Sequence, residues 1–245
     1  MNDWTNTAVA LDRVTKTFGD KQVLREVSLS VRRGETICIV GRSGTGKSVT
    51  LKLIIALIKP DDGHVWIDGE DITRLEGHEL SRVRRKMGFL YQNAALFDFL
   101  NLYDNLALPL RRLTSKSDGE IELIIDRVLR QVGLGGDRLK MPGELSGGMR
   151  KRAGLARALV LEPRILLVDE PSSGLDRITA SEIDDLLLEQ KRHTTMIVVT
   201  HDIHGARRVG DRVAVLDRGQ LAAFGTPQEL EDHENQTVRM LVKEA

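Results

Sequence analysis

An α/β fold built on a mostly parallel sheet is what this sequence predicts, and three observations predict it. Short apolar runs at residues 36–40, 165–168, 196–199 and 213–216 carry no charge, as strands buried on both faces require. Helical patterns flank these runs, the alternation that builds a sheet covered by helices on both sides. A glycine-rich turn joins the first run directly to a helix.

Taken in chain order, the first part reads as strands at 8–18, 27–31 and 36–40. Val27, Leu29 and Val31 alternate with Ser28, Ser30 and Arg32, the period of a half-buried strand. A helix follows through Leu51, Leu53, Ile54, Leu57 and Ile58, and Pro60 is its expected stop. Asp61-Asp62-Gly63 is a turn, residues 64–67 a short strand, and Asp68-Gly69 another turn. Residues 98–143 are mostly helical in pattern, with Ile121, Ile124, Ile125, Val128, Leu129 and Val132 on one helix face. The expected organisation is a single domain over 1–245, with a helical insert at about 98–162 and a helical tail at about 227–245.

Bulk properties narrow the class. The 245 residues hold 36 basic and 36 acidic side chains, so the net charge is zero. That balance argues against a nucleic-acid partner, which usually meets a basic excess. The basic run Arg150, Lys151, Arg152, with Arg157, reads as a solvated helix face near phosphate. The one cysteine, Cys38, sits in an apolar strand, where burial is expected and no disulfide within the chain is possible. Residues 1–5 lack the apolar core of a signal peptide. No stretch approaches the roughly 20 apolar residues that cross a bilayer, so a cytoplasmic protein is expected. The histidines at 64, 78, 193, 204 and 233 show no metal-ligand spacing.

Three motifs carry chemistry. Gly41-Arg42-Ser43-Gly44-Thr45-Gly46-Lys47-Ser48 matches the phosphate-binding P-loop, set between a strand and a helix. Its glycines let backbone N–H groups curl around phosphate oxygens, helped by the positive end of the helix. Lys47 would reach the β and γ phosphates, and Ser48 would bind Mg²⁺. Next, the apolar run 165–168 delivers Asp169 and Glu170 at its C-terminal end, where open α/β sheets bind ligands. Asp169 would hold Mg²⁺, and Glu170 would orient the attacking water. Between them lies Leu145-Ser146-Gly147-Gly148-Met149 ahead of a helix. Read from physics alone, that segment is a helix cap; read as a ligand site, it offers backbone donors and a hydroxyl to an anion.

The order of these features resembles the ATP-binding-cassette (ABC) ATPases from about Val9 to Gly225: P-loop, Gln92 after a strand, Leu-Ser-Gly-Gly, strand with Asp-Glu, Ser173-Gly174-Leu175-Asp176, then His201. The resemblance implies the ABC P-loop fold, with an N-terminal antiparallel β subdomain, a mostly parallel core sheet and a helical subdomain. It implies ATP and Mg²⁺ as cofactors, with Phe18 stacking on adenine and Val49 closing the P-loop contacts. Gln92 would contact Mg²⁺ and sense a transmembrane partner, while His201 would act near the γ-phosphate beside the catalytic Glu170 and Lys47. It further implies a head-to-tail dimer, in which Ser146, Gly147 and Gly148 complete the partner's site and Asp176 lies at the seam.

Finer details resemble the ATPase subunits of MCE-type phospholipid transporters of the maintenance-of-lipid-asymmetry (Mla) type. They are Val49, the stretch from Gly88 to Asp98, Asn105 to Leu110, and Met149 where Gln is commoner. Arg177 in place of Pro and Tyr91 in place of Phe depart from that group. This resemblance implies transmembrane permease subunits, an MCE-domain partner and a peripheral location on the cytoplasmic face of the inner membrane. An amino-acid importer or drug exporter would carry the same motor motifs. ABC ATPases of DNA repair or translation usually have a long coiled-coil insertion or a second cassette, which this sequence lacks.

Overall fold

The computed structural model describes residues 6–236, 238 and 239. Two sheets form. The first is antiparallel, in the order β2-β1-β4-β5, from β1 Thr7–Phe18, β2 Lys21–Arg32, β4 Asp62–Ile67 and β5 Glu70–Asp71. The second has the order β10-β9-β3-β8-β7-β6, from β3 Thr36–Val40, β6 Met87–Leu90, β7 Ile165–Asp169, β8 Thr195–Thr200, β9 Arg212–Asp217 and β10 Gln220–Gly225. Its strands run parallel except for β10, which joins β9 as an antiparallel hairpin.

The apolar runs are unbroken because the second sheet separates two cores. Ile37, Ile39, Leu167, Ile197 and Val199 face a core shared with β1, β2, β4 and the helix α1 Lys47–Ile54. Their neighbours Cys38, Val40, Val168, Met196 and Val198 face the other core. That second core takes in the helices α3 Leu102–Leu113, α4 Asp118–Gln131, α5 Gly147–Leu159, α6 Arg177–Lys191 and α7 Ile203–Val209. Alternate side chains leave a strand on opposite faces, so a strand buried on both must be apolar throughout.

The helices between β6 and β7 begin with defined caps. Asn101 accepts from Asp104 N–H ahead of α3, and Ser117 with Glu120 forms a capping box ahead of α4. The short helix α2 Gly77–Arg84 lies before β6, and α8 Pro227–Glu231 follows β10. Of the expected tail, residues up to 239 are described, with Val238 buried in the helical core. Residues 1–5, 237 and 240–245 lie outside the described residues.

Three expectations need correction. The second strand begins at Lys21, six residues before the alternation at Val27 becomes visible. A bulge hides its first half: Arg25 and Glu26 are both exposed, Glu26 has φ 50, and the register shifts between Val14 and Lys16. The helix after the P-loop ends at Ile54, well before Pro60. Ala56 adopts φ 54, Leu57 N–H donates to Lys52 O at 2.8 Å, and Arg84 donates to the carbonyls of Ile55 (3.0 Å) and Ala56 (2.7 Å). This Schellman-type ending is capped from α2, far along the chain, so no local residue signals it. Finally, the basic run at 150–152 is not uniformly a solvated face, since Lys151 is only 6% exposed.

Candidate active site

The P-loop leaves β3 and enters α1. Two of its glycines are dictated by space and dihedral angle. Gly41 has φ 156, and a Cβ there would sit 2.3 Å from Leu216 O; Gly46 has φ 106, and a Cβ would sit 2.5 Å from Leu24 Cδ2. Gly46 is also the N-cap of α1 and offers no side-chain cap. The first N–H groups of that helix therefore face the loop without a side-chain acceptor. Thr45 Oγ1 steadies the loop by donating to Arg42 O at 2.9 Å.

Lys47 is buried and donates to Gly41 O (2.9 Å) and Arg42 O (3.3 Å), with Glu170 Oε1 at 3.6 Å. Ser48 Oγ donates to Asp169 Oδ1 at 2.8 Å. Asp169 closes β7 in a buried position. Burial pushes its carboxyl above the usual range, the Ser48 hydrogen bond opposes that, and the Glu170 charge adds to it. A serine hydroxyl and a carboxylate oxygen 2.8 Å apart are the hard donors Mg²⁺ takes alongside phosphate oxygens, so the residues present fit that ion.

Glu170 follows in the left-handed region at φ 49, with its N–H donating to Val199 O at 2.8 Å. Its Oε2 lies 2.7 Å from His201 Nδ1 and accepts from His201 N–H at 3.3 Å. Lys47, Ser48, Val49, Ser43, Gly44, Gly46, Gln92, Glu170 and His201 share one cleft of about 530 Å³, which Lys21 and Val23 also line. A cleft of this size suits a small-molecule ligand.

Several expected residues stand elsewhere. Phe18 ends β1 about half exposed, paired across the strands with Lys21, which lines the cleft, and with Lys16 Nζ 5.5 Å from its ring centroid. Gln92 faces the cleft, and its amide donates to Ser173 Oγ at 3.4 Å rather than meeting Ser48 or Asp169. Ser146, Gly147 and Gly148 do not line the cleft. Ser146 caps α5 by accepting from Met149 N–H at 3.2 Å, and Gly148 lies where a Cβ would be 2.4 Å from Thr179 Cγ2. Asp176 caps α6, accepting from Ile178 N–H, Thr179 N–H and the Thr179 hydroxyl, and Thr179 in turn lies against Gly148. Among the described residues no group of three or more His, Cys, Asp or Glu could hold a metal, and no helix is long and apolar enough to cross a membrane.

Two contributors escape sequence reasoning. Lys151 Nζ donates to Glu170 O at 2.8 Å, and Arg157 donates to Ala94 O at 3.1 Å and to Ala95 O, holding the turn after Gln92. The signal for Lys151 was its place on the apolar stripe of α5 with Gly148, Leu155 and Ala158, all buried.

A family model described as ABC transporter matches residues 24–173. The probable ribonucleotide transport ATP-binding protein mkl of Mycobacterium leprae is 44% identical over 237 residues, 96% of this chain and 68% of that protein. Its Mycobacterium tuberculosis counterpart is matched over 66% of its length, so the chain spans about two thirds of these relatives. The intermembrane phospholipid transport system ATP-binding protein MlaF of Haemophilus influenzae is 38% identical over 224 residues, 91% of this chain and 85% of that protein. In structure, the chain superposes with a TM-score of 0.83 on the ATP-binding cassette MJ0796, a dimer in a post-hydrolysis state bound to ADP and Pi. That match has 35% identity and covers 89% of this chain and 98% of that one.

Proposed function

From the premise that this chain belongs to the ABC transporter family and is an ATPase, we propose that it powers phospholipid movement across a bacterial envelope as one half of a head-to-tail dimer. The observation that carries the motor part is the cleft itself, where Lys47, Ser48, Glu170 and His201 meet at the mouth of a P-loop, with Asp169 hydrogen-bonded behind Ser48.

In this reading the open N–H groups of α1 and Lys47 bind the β and γ phosphates, Lys47 exchanging the carbonyls of Gly41 and Arg42 for phosphate oxygens. Mg²⁺, when bound with the nucleotide, would be held by Ser48 and Asp169 with Gln92 nearby and would neutralise charge on the phosphate oxygens. Glu170 orients water for in-line attack on the γ-phosphorus, and His201 steadies the carboxylate and meets the developing charge. Phe18 stacks on adenine. Ser146, Gly147 and Gly148, which do not line their own chain's cleft, serve the partner's ATP across a seam at Asp176.

The turn held by Arg157 carries the stroke from Gln92 to transmembrane permease subunits, placing the chain at the cytoplasmic face of the inner membrane. The 38% identity to MlaF supports phospholipid as cargo and an MCE-domain protein as a further partner. The second reading keeps the same motor with another cargo, favoured by the ribonucleotide-transport name of the mycobacterial relative.

Two experiments test the proposal. Glu170→Gln is expected to retain ATP binding, lose turnover by about 10²-fold or more, and accumulate an ATP-bound dimer in gel filtration; near-normal turnover removes Glu170 from its role. A pull-down of the tagged chain from membranes, followed by lipid analysis, is expected to bring an MCE-domain protein and phospholipid. A complex without either assigns the motor to another cargo.

A further inference from the structure

We propose that Lys151 is a positioning residue for the hydrolysis reaction, tying the backbone of Glu170 to the helix whose first turn carries Ser146, Gly147 and Gly148. The inference rests on the reading of Glu170 as the carboxylate that orients water.

Glu170 occupies a backbone conformation that a residue with a Cβ adopts at a cost, φ 49, and such conformations persist only where the surroundings over-determine them. Three hydrogen bonds to its backbone do so here. The N–H donates to Val199 O of β8 at 2.8 Å, and the C=O accepts from Lys151 Nζ of α5 at 2.8 Å and, more loosely, from Ser173 N–H at 3.3 Å. With both ends of the residue fixed, the carboxylate is aimed at His201 and at the cleft.

Lys151 is an unusual group for this place. Burying an ammonium is costly, and a methionine would fill the same volume without that penalty. Its partner is a neutral carbonyl at the catalytic residue, so the charge is spent on holding that carbonyl. Burial accordingly lowers the ammonium's pKa, against the pull of the Glu170 and Asp169 charges.

The helix supplies the connection. Lys151 stands five residues after Ser146, about 7.5 Å along the axis. Farther on, Gly154 lies against Leu90 and Ala94, where a Cβ would be 2.8–2.9 Å from their side chains, and Arg157 grips the carbonyls of Ala94 and Ala95. One rigid helix thus touches the partner-facing turn, the catalytic residue and the turn after Gln92. When a partner's nucleotide seats the first turn of α5, the same helix seats the Glu170 carbonyl, so each chain's own hydrolysis depends on the nucleotide held by its neighbour.

The test compares the full chain with Lys151→Met, Lys151→Arg, Glu170→Gln and the Lys151→Met/Glu170→Gln double variant. Steady-state ATP hydrolysis, equilibrium ATP binding and Tm are measured for each. Lys151→Met is expected to lower kcat about tenfold or more while KM and ATP affinity stay within about twofold. Lys151→Arg, which keeps a donor, should recover most of that loss. In the double variant, Lys151→Met should lower the residual turnover of Glu170→Gln no further, because there is no carboxylate left to position. Should Lys151→Met melt below the assay temperature, Lys151→Gln replaces it with the same expectations. An unchanged kcat beside an inactive Glu170→Gln overturns this inference alone, as does a loss that multiplies in the double variant or falls equally on affinity and Tm without rescue. Near-normal turnover of Glu170→Gln overturns the reading of Glu170 and this inference together.

Discussion

Two helices in this protein, α1 and α5, follow glycine-rich motifs, and their N-terminal caps are built differently. α1 starts at Gly46 with no side-chain cap, so its N–H groups stay available to an anion in the cleft. α5 starts at Ser146, whose hydroxyl already accepts from Met149 N–H, and its turn packs against Leu175 and Thr179 away from the cleft. An uncapped terminus in a pocket is prepared for a ligand of its own chain. A self-capped terminus on the surface is stable without one, and it meets a ligand only when a second molecule brings it. Under the proposed function, the α1 terminus serves the chain's own nucleotide and the α5 terminus a partner's, and the difference in capping fits that division.

Lys47→Ala should give the largest effect, breaking the α1 side of this contrast. Turnover is expected to fall by about 10²-fold or more, with ATP affinity falling alongside, measured by hydrolysis and equilibrium binding. Unchanged values of both would mean the uncapped terminus is not where phosphate binds.

Ser146→Ala sharpens the α5 side. We expect turnover to drop about tenfold and stability to fall by about 1 kcal/mol from the lost cap, with the ATP affinity of the dilute, monomeric chain preserved. If that affinity fell as far as in Lys47→Ala, both termini would serve the same nucleotide and the contrast would collapse.

The smallest effect concerns α6, which lies between the two regions, with Thr179 against Gly148 and the Asp184 carboxylate against Gly205 just beyond His201. Burial, reinforced by the Asp202 charge, raises the Asp184 carboxyl to about 6, while Arg208 and His204 oppose this and Asp185 adds to it. Because the folded-state value lies above the unfolded one, the neutral carboxyl stabilises the fold below about pH 4. That contribution is lost as pH rises through about 6. Asp184→Asn should therefore flatten the stability profile between those values and raise stability at pH 8 by on the order of 1–2 kcal/mol after allowing for solvent screening, seen as a higher Tm. An unaltered slope in urea unfolding across that range would rule out Asp184 as its source.

What could be read from the sequence was whatever depends on neighbours along the chain. The P-loop, the Asp169-Glu170 strand end and the two-sided apolar strands are local patterns, and the structure places those residues in the fold class they imply. What escaped depends on distant groups. The end of α1 is set by Arg84, and the start of β2 is masked by the bulge at Glu26. The antiparallel β10 follows a tight turn at Arg218 and Gly219 with both φ positive, so a non-glycine residue hides the hairpin signal. Lys151 looked like one more solvated cation in a basic run, because only the packed sheet beneath α5 reveals that it points inward.

Cys38, the one cysteine in the chain, is fully buried in β3, and burial pushes its thiol up to about 12. Enclosed in this way, the thiol is expected to stay unreactive toward thiol reagents at neutral pH while the chain is folded. A cysteine introduced at an exposed position such as Leu139, which is 73% exposed, becomes the sole reactive handle. Spin or fluorophore labels placed there can report how two copies approach each other during turnover, with no need to engineer a cysteine-free background first.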